Sequence, residues 1–230
     1  MIRALDHLAL AVPDLEAAIA GHRLMFGQAG GGPDFITANM TLRLEQAAAD
    51  RGLRRIAFAV GDRDKAVRLA VNRGLALDEP TPAHDFAIAL VEAGAAPSAP
   101  AGGGPGLLTA LDHVVIQSAA PERALALYGA RAGLDLRLDR TEPRWGTRLL
   151  FFRCGDLVVE VMHNLAAGIS DAPDRLWGLS WRSDDLDAAR ARLAASGIDV
   201  SAIRPGRKPG TRVFTLRDGT CGVPTLVVGA

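Results

Sequence analysis

This 230-residue chain has no excess of charge of either sign, because 26 lysines and arginines balance 26 aspartates and glutamates. A protein that binds nucleic acid usually carries a basic excess, so the balance argues against that class of partner. Aromatic residues make up only 5% of the chain, which removes the stacking surfaces that a single-strand binder needs. The two cysteines, Cys154 and Cys221, form no paired motif, so neither a disulfide framework nor a cysteine-rich zinc site is predicted.

The sequence also lacks a long apolar segment. Residues 93–111 are uncharged, but they are too rich in glycine and proline for a membrane helix. The N-terminal apolar run is interrupted by Asp6, His7 and Asp14, so it does not resemble a secretory signal. Because 49% of the residues are hydrophobic, the chain can still bury a core, and we expect a cytoplasmic protein.

What the sequence does contain is an internal repeat. The segments LDHLALAVPDLEAAI from Leu5 and LDHVVIQSAAPERAL from Leu111 share an apolar strand pattern with an early histidine, a turn and a helical pattern. Within each half, RRIAFAV from Arg54 and GLSWRSDD from Gly178 each precede a helical stretch that is closed by glycine. Matching positions of the third and fourth modules keep an offset of 64 or 65 residues. A repeat with a fixed period predicts four modules of the order strand–helix–strand–strand–strand.

The boundary between the two halves is predicted in a segment of alanine, glycine, proline and serine. We expect an N-terminal domain over residues 1–93, a linker over 94–107 and a C-terminal domain over 108–230 with the main pocket. The first module is short, so one of its strands is expected to be truncated or irregular. The predicted fold class is α+β, with four βαβββ modules paired into two domains, each a cupped mixed sheet with flanking helices.

Four such modules resemble the vicinal oxygen chelate superfamily, which includes glyoxalase I, type I extradiol dioxygenases, bleomycin-resistance proteins and methylmalonyl-CoA epimerase. The resemblance covers nearly the whole chain except the linker. Its motifs are LDHLALAVPDLEAA, LDHVVIQSAAPERALALYG, FFRCGDLVVEVMHN and WRSDDLDAARARLAASGIDV. It implies two glyoxalase-like domains, of which the N-terminal one is degenerate and mainly structural. The resemblance says more about the fold than about the reaction, because this superfamily hosts many reactions on one scaffold.

The resemblance also implies a set of metal-ligand positions. In metal-dependent members the ligands come from the first and the last strand of a module, and these positions are His113 and Glu160 here. The matching positions of the fourth module are Gly178 and Thr225, which are not normal ligands of a divalent metal. The N-terminal half keeps the first position, at His7. We therefore expect either no cofactor or a weakly bound Zn²⁺, Ni²⁺, Mn²⁺ or Fe²⁺ held by His113 and Glu160.

Strand alternation gives an independent interpretation of the same region. Every second residue from His113, Glu160 and Gly178 lies on one face, and that face mixes apolar side chains with a few polar ones. Such a mixture is typical of a small-molecule site. We predict His113 and Glu160 as the catalytic residues. The side chains predicted to contact the substrate are Gln117, Arg148, Met162, Ser180, Arg182, Arg212 and Thr225.

Two classes of function remain open. The first is a glyoxalase-like lyase or isomerase, or a dioxygenase-like enzyme, that has an incomplete set of metal ligands and acts on a small oxygen-rich molecule. The second is a metal-free, resistance-type protein that sequesters such a molecule without catalysis. The predicted arginines favour an anionic or phenolic ligand. Neither nucleic acid nor a membrane is expected as a partner, and formation of a homodimer is left open.

Overall fold

The computed structural model describes residues 2–28, 32–48, 51–94 and 104–230. Most of the predicted linker, residues 95–103, therefore lies outside the described residues. The chain forms two mixed β-sheets with a small number of helices, so the predicted α+β fold class is confirmed. Within the described ranges, no helix combines the length and the apolar character that crossing a membrane requires.

The first half of the chain supplies a five-stranded sheet with the strand order β2-β3-β1-β4-β5. Its elements are β1 (Ile2–Val12), α1 (Leu15–Phe26), β2 (Asp34–Ile36), β3 (Thr41–Gln46), β4 (Gly52–Val60), α2 (Arg63–Asn72) and β5 (Ala87–Glu92). Strand β2 has only three residues, so the first module is shortened as the sequence predicts. The second module is shortened too. Among the described residues, it has one strand, β5, after its helix, because turns occupy most of the chain between α2 and β5.

The second half supplies an eight-stranded sheet with the order β11-β12-β13-β10-β6-β9-β8-β7. Its third module contains β6 (Ala110–Gln117), α3 (Pro121–Ala124), a π-helix (Leu125–Arg131), β7 (Asp135–Glu142), β8 (Thr147–Cys154) and β9 (Leu157–Asn164). Its fourth contains β10 (Arg175–Arg182), α4 (Leu186–Ala195), β11 (Arg204–Pro205), β12 (Arg212–Leu216) and β13 (Thr225–Gly229). Short 3₁₀ helices occupy Pro143–Trp145 and Leu165–Ala167. Both modules of this half therefore have the complete βαβββ order.

Three of the helices begin in the same way, at an aspartate that caps the first turn. The side chains of Asp14, Asp62 and Asp185 each accept a hydrogen bond of 2.9 Å from a backbone N–H three residues later. This bond satisfies a donor that the first turn leaves without a helical partner. Helix α3 begins instead with Pro121 at its first position, where the missing N–H of proline costs nothing.

The contacts within the chain divide it into two compact units. The first unit contains the described residues within Met1–Leu8, Arg54–Ala96 and His113–Trp177. The second contains those within Ala9–Leu53, Pro97–Asp112 and Gly178–Ala230. Each unit thus draws on both halves of the chain, and the predicted domains over 1–93 and 108–230 stay a prediction.

Each unit has an apolar core of its own. In the first unit, one face of β6, β8 and β9 is completely buried through Val114, Ile116, Leu150, Phe152, Val159 and Val161. In the second unit, Phe26 packs against Phe35 and stands edge-on to Trp181, with 4.9 Å between the latter two ring centroids. Aromatic rings in this geometry are attracted beyond the gain from area burial alone. The opposite face of β6, β8 and β9 is only partly buried, and it holds the predicted site.

Candidate functional site

Strands β6 and β9 are parallel neighbours, and their pairing decides which predicted residues come together. Val115 pairs with Glu160, and Gln117 pairs with Met162. Because side chains alternate along a strand and paired residues point the same way, His113 lies on the same face as these four. The structure therefore brings His113, Gln117, Glu160 and Met162 to one face of the sheet.

The imidazole of His113 and the carboxylate of Glu160 are the closest polar groups of this face. His113 Nε2 lies 3.8 Å from Glu160 Oε2, which is an ion-pair distance but too long for a direct hydrogen bond. The side chain of His113 is 23% exposed and that of Glu160 is 12% exposed. A donor and an acceptor thus lie side by side at the border between core and solvent, where a ligand oxygen can reach both.

Strand β8 supplies the surroundings of Glu160. It pairs with β9 in an antiparallel register that sets Phe151 opposite Glu160 and Leu149 opposite Met162. Phe151 is half-buried, and Arg153 lies on the same face two residues further along the strand, exposed to solvent. Sequence reasoning missed Phe151 and Arg153. Alternation in TRLLFFR groups them together, but the sequence does not say which face of this apolar strand carries the site.

Arg148 does not join this group. It pairs with His163, so it lies on the opposite face from Glu160. Its guanidinium donates two hydrogen bonds to Asp139, of 2.8 and 2.9 Å, and one of 2.5 Å to Glu122. These bonds raise the pKa of Arg148 and lower the pKa of both carboxyl groups. The positive charge of Arg148, which the sequence predicted beside the site, therefore lies on the opposite face of the sheet.

The fourth module differs from the sequence prediction at Thr225. Strands β10 and β13 pair in parallel, with Leu179 opposite Thr225 and Ser180 opposite Leu226. Thr225 therefore lies on the opposite face from Ser180, where it is buried and donates a hydrogen bond of 2.8 Å to the carbonyl of Val223. Its hydroxyl stabilises the turn before β13 and lies on the opposite side of the sheet from the predicted site face.

The residue that corresponds to Glu160 is Leu226, so the predicted match with Thr225 is wrong by one residue. Glu160 pairs with the residue two places after His113, and Leu226 pairs with the residue two places after Gly178. A leucine offers no donor to a metal. A Cβ at position 178 would lie only 2.9 Å from the carbonyl oxygen of Pro224, so the backbone leaves no room there for a histidine.

The remaining predicted residues of the fourth module are Ser180 and Arg182 on β10 and Arg212 on β12. Ser180 is buried, and among the described residues its hydroxyl has no hydrogen-bond partner. Arg182 Nε donates to Asp112 at 3.0 Å, and Arg212 Nη1 donates to Asp187 at 3.0 Å. Both guanidinium groups therefore have a carboxylate neighbour that offsets the charge expected to attract an anion.

A divalent metal would find two donors on the His113 face. A catalytic site for zinc or iron usually has three protein ligands. In the part of the chain that the structure describes, no group of three or more histidine, cysteine, aspartate or glutamate side chains is placed to hold a metal ion. The residues present do not complete such a site, so the chemistry below is derived from the protein groups alone.

Two cavities are present elsewhere, and neither is lined by His113 or Glu160. One, of about 350 Å³, lies between α2 and the π-helix. The other, of about 530 Å³, is a depression beside β11 and β12 that is lined in part by Arg204 and Arg212. The His113 face is half-buried, and a main pocket over it stays a prediction.

Comparison with known proteins identifies the kind of fold. A sequence model of the Glyoxalase/Bleomycin resistance protein/Dioxygenase superfamily matches residues 112–215, which include the third module and part of the fourth. A search of curated proteins finds no match. The match covers the strands that carry His113, Glu160 and Ser180.

Two solved structures resemble the whole chain. A mutant 4-hydroxymandelate synthase from Streptomyces coelicolor is 15% identical, covers 100% of this chain and 93% of its own, and has a TM-score of 0.73. BphC, a halotolerant catechol dioxygenase, is 12% identical, covers 100% of this chain and 87% of its own, and has a TM-score of 0.71. At these identities the likeness shows the fold alone.

Proposed function

We propose that this chain, a member of the Glyoxalase/Bleomycin resistance protein/Dioxygenase superfamily, binds a small anionic or phenolic oxygen-rich molecule over the face of His113 and Glu160. The observation that carries the proposal is the 3.8 Å separation of His113 Nε2 and Glu160 Oε2 on a half-buried strand face. A ligand with a hydroxyl beside a carbonyl or phenolate oxygen can use both groups at once. Its hydroxyl donates to Glu160, and its second oxygen accepts from His113.

The side chains around the pair fit the body of such a ligand. Phe151 and Met162 flank Glu160 on the neighbouring positions of the sheet, and both are half-buried. An aromatic ring packs favourably against a phenylalanine ring and a thioether. Arg153 lies on the same face at its exposed end and supplies positive charge for an anionic group. Apolar walls with a few oriented polar groups are typical of small-molecule sites.

We further propose that Glu160 moves a proton of the bound molecule. Its carboxylate accepts a proton from a carbon next to a carbonyl, the electron pair of the C–H bond passes to the carbonyl oxygen, and His113 donates a hydrogen bond to the oxygen that becomes negative. In a hydroxy-carbonyl molecule the proton then returns to the former carbonyl carbon, while the hydroxyl on the first carbon gives its proton to the negative oxygen and becomes the new carbonyl, which completes an isomerisation. This step needs no oxidant, so the two-donor set favours lyase or isomerase chemistry over oxygenation.

A second function is favoured by the residues at the matched positions of the fourth module. Leu226 and Gly178 add no donor there, and steric contact with Pro224 keeps position 178 free of a side chain. Such a face can hold an oxygen-rich molecule without transforming it. On this reading the protein sequesters its ligand, and His113 and Glu160 serve only as hydrogen-bonding groups.

The experiment separates binding from proton transfer. Phenols, catechols, hydroxy acids and keto acids are screened for a rise in melting temperature, and each hit is incubated with the protein in D₂O. Proton transfer is measured by NMR as deuterium incorporation next to the carbonyl. Glu160→Gln keeps the shape of the side chain but cannot take a proton, so we expect exchange to fall by roughly 10²-fold or more while the ligand still binds.

The controls decide between the readings. Glu45→Gln and His7→Gln change the same residue types in the N-terminal half, and we expect neither to alter binding or exchange. Binding without deuterium exchange in the wild type would support sequestration and contradict proton transfer. Unchanged binding in both Glu160→Ala and His113→Ala would refute the site itself. Micromolar binding of Zn²⁺, Ni²⁺, Mn²⁺ or Fe²⁺ that disappears in Glu160→Ala would replace the acid–base reading with a metal site.

A further inference from the structure

A cavity of about 350 Å³ lies on the helical side of the first unit, between α2 and the π-helix. Gly129 of the π-helix borders this cavity and approaches the ring of Phe152, which belongs to the buried face of β8. Phe152 and Glu160 lie on opposite faces of the sheet. Protein interiors rarely leave voids larger than a water molecule, whereas ligand pockets begin at roughly 300 Å³. The cavity therefore has the size of a ligand site and is separate from the site proposed above.

The walls of the cavity are apolar, and small side chains open the space between them. Its buried surface comes from Val60, Leu75, Leu90 and Leu134. The helices line the cavity with the small residues Ala66, Ala70 and Gly129 beside the larger Leu69, so most of these positions leave space that a larger side chain would fill. The N–H of Ala132 bonds to the carbonyl five residues earlier, which widens the π-helix at the border of the gap. Helical segments of this kind are frequently found at functional sites.

Arg73 and Arg131 are the charged residues among those that line the cavity, and each lies at the end of a helix. Arg73, at the end of α2, places Nη1 3.4 Å from where a Cβ of Gly133 would be, just beyond the π-helix. Arg131, at the end of the π-helix, donates a hydrogen bond of 3.2 Å from Nη1 to the carbonyl of Gly74, just beyond α2. The two side chains thus cross between the helix ends, and both are exposed to solvent.

We propose that this cavity binds an anionic amphiphile, a molecule with one carboxylate on an aliphatic tail of about eight carbons. The tail lies against the buried leucines and valine, where each added methylene gains affinity by roughly threefold to fourfold. The carboxylate lies at the exposed end, where guanidinium groups bind carboxylates with two parallel hydrogen bonds. The lining residues include no acidic side chain that would repel it.

The test uses sodium octanoate, sodium butanoate and 1-octanol with the full chain. Calorimetry measures affinity, and amide NMR shifts locate the bound molecule. We expect octanoate to bind at least tenfold tighter than either butanoate or octanol, with shifts at Ala66, Ala70 and Gly129. Arg73→Gln should weaken octanoate binding by about tenfold, because a charged hydrogen bond is lost. Arg68→Gln, on the exposed face of the same helix and away from the cavity, is the matched control and should leave binding unchanged.

Other outcomes would overturn the proposal. Equal affinities for octanoate and octanol would mean that the arginines only cap the two helix ends, where the helix dipole favours cations. Equal octanoate binding in wild type and Arg73→Gln, or shifts away from the cavity, would also contradict it. A second variant, Ala130→Leu, adds apolar volume at an exposed position of the lining and should abolish binding with little effect on melting temperature. Glu160→Gln should leave octanoate binding unchanged, which keeps this result independent of the function proposed above.

Discussion

At the scale of single residues, the Asp174 carboxylate is the most enclosed charged group described, and it lies outside both proposed sites. It is completely buried, and it accepts a hydrogen bond of 2.9 Å from the hydroxyl of Tyr128 and one of 2.8 Å from Arg123. Complete burial, and then the charge of Asp174, raises the pKa of Tyr128 well above its ordinary value. Tyr128 lies in the motif LDHVVIQSAAPERALALYG, but Asp174 lies in no such motif, and the sequence does not show that the two side chains meet.

The tyrosine network leads to a prediction about alkaline pH. The unfolded chain releases the tyrosine proton near pH 10, whereas the folded chain keeps it. Above about pH 10 the unfolded state therefore binds fewer protons, and the free energy of unfolding falls by up to about 1.4 kcal/mol per pH unit. Below that pH the contribution is fully present. Tyr128 is the only tyrosine, so tyrosinate absorbance during an alkaline titration reports this residue alone.

We expect the tyrosinate signal to appear only together with unfolding, as judged by circular dichroism. In Tyr128→Phe, the free energy of unfolding should fall less steeply above pH 10, because about one proton fewer is released on unfolding. Tyrosinate that forms near pH 10 in a chain that is still folded would contradict the buried hydrogen bond to Asp174.

The two cysteines allow a second prediction at this scale. Burial raises the pKa of Cys154 to about 12, and the side chain is 2% exposed, so it forms almost no thiolate at neutral pH. Burial also raises the pKa of Cys221, but this residue lies in an exposed turn where a reagent can reach its thiol. A thiol reagent at neutral pH should therefore label one cysteine per chain rapidly, and Cys221→Ser should remove this fast phase. Two fast thiols in the folded protein would show that Cys154 is accessible.

At the scale of elements, Gly106 is where the end of the predicted linker meets a helix. Its φ is +78°, and a Cβ there would lie 2.3 Å from the backbone nitrogen of Ala189 in α4. Its carbonyl accepts a hydrogen bond of 3.2 Å from Arg192. The sequence suggested that this segment buries nothing, yet Gly106 is buried, because only glycine lets the backbone pass so close to the helix.

Gly106→Ala should therefore destabilise the protein by at least about 2 kcal/mol, since it adds both a strained backbone angle and a clash with helix backbone. Gly104→Ala is the matched control, because nothing lies within 4 Å of a Cβ at that position. We expect the control to stay within about 0.5 kcal/mol of the wild type in a urea titration. Equal stabilities of the two variants would mean that the segment does not pack on α4.

The elements also show how far the sequence could lead. Alternation and repeat spacing predicted the strands of the second half and the shared face of His113 and Glu160, because these depend on local patterns. The match of Thr225 with Glu160 failed because the register of a strand pair depends on the turn before it, which the repeat spacing does not contain. The face of Arg148 was missed for a similar reason, since β8 is apolar on both sides and its alternation does not say which side is the core.

At the scale of the whole molecule, two divisions of the chain do not coincide. The five-stranded sheet comes from the first half and the eight-stranded sheet from the second, which is the division that the sequence predicts. The compact units instead combine pieces of both halves. In the first unit, the N–H of Asp174 donates a hydrogen bond of 2.8 Å to the carbonyl of Ala83, and its carbonyl accepts one of 2.9 Å from the N–H of Asp85. The side chain of Asp174 is completely buried.

This difference predicts the behaviour of a chain that is cut in the linker. A protease site inserted between residues 98 and 99 gives two fragments, one for each predicted domain. Each compact unit would then consist of parts of both fragments. The backbone bonds of Asp174 would join the fragments in the first unit. The 2.9 Å bond from the N–H of Ala38 to the carbonyl of Thr109 would join them in the second unit. Separation would leave these backbone groups and the apolar surfaces around them exposed to water.

We therefore expect the cut fragments to elute as one species in size-exclusion chromatography and to separate only in denaturant. Asp174→Asn weakens the bonds to Tyr128 and Arg123 that hold this residue in position for its backbone bonds to the other fragment. It should therefore lower the urea concentration at which the fragments separate, whereas Asp64→Asn, at an exposed position of α2, should not. Two separate peaks, each with the circular dichroism of a folded domain, would instead establish residues 1–93 and 108–230 as independent domains. The sheets would then define the folding units, and the contacts between the halves would contribute little to stability.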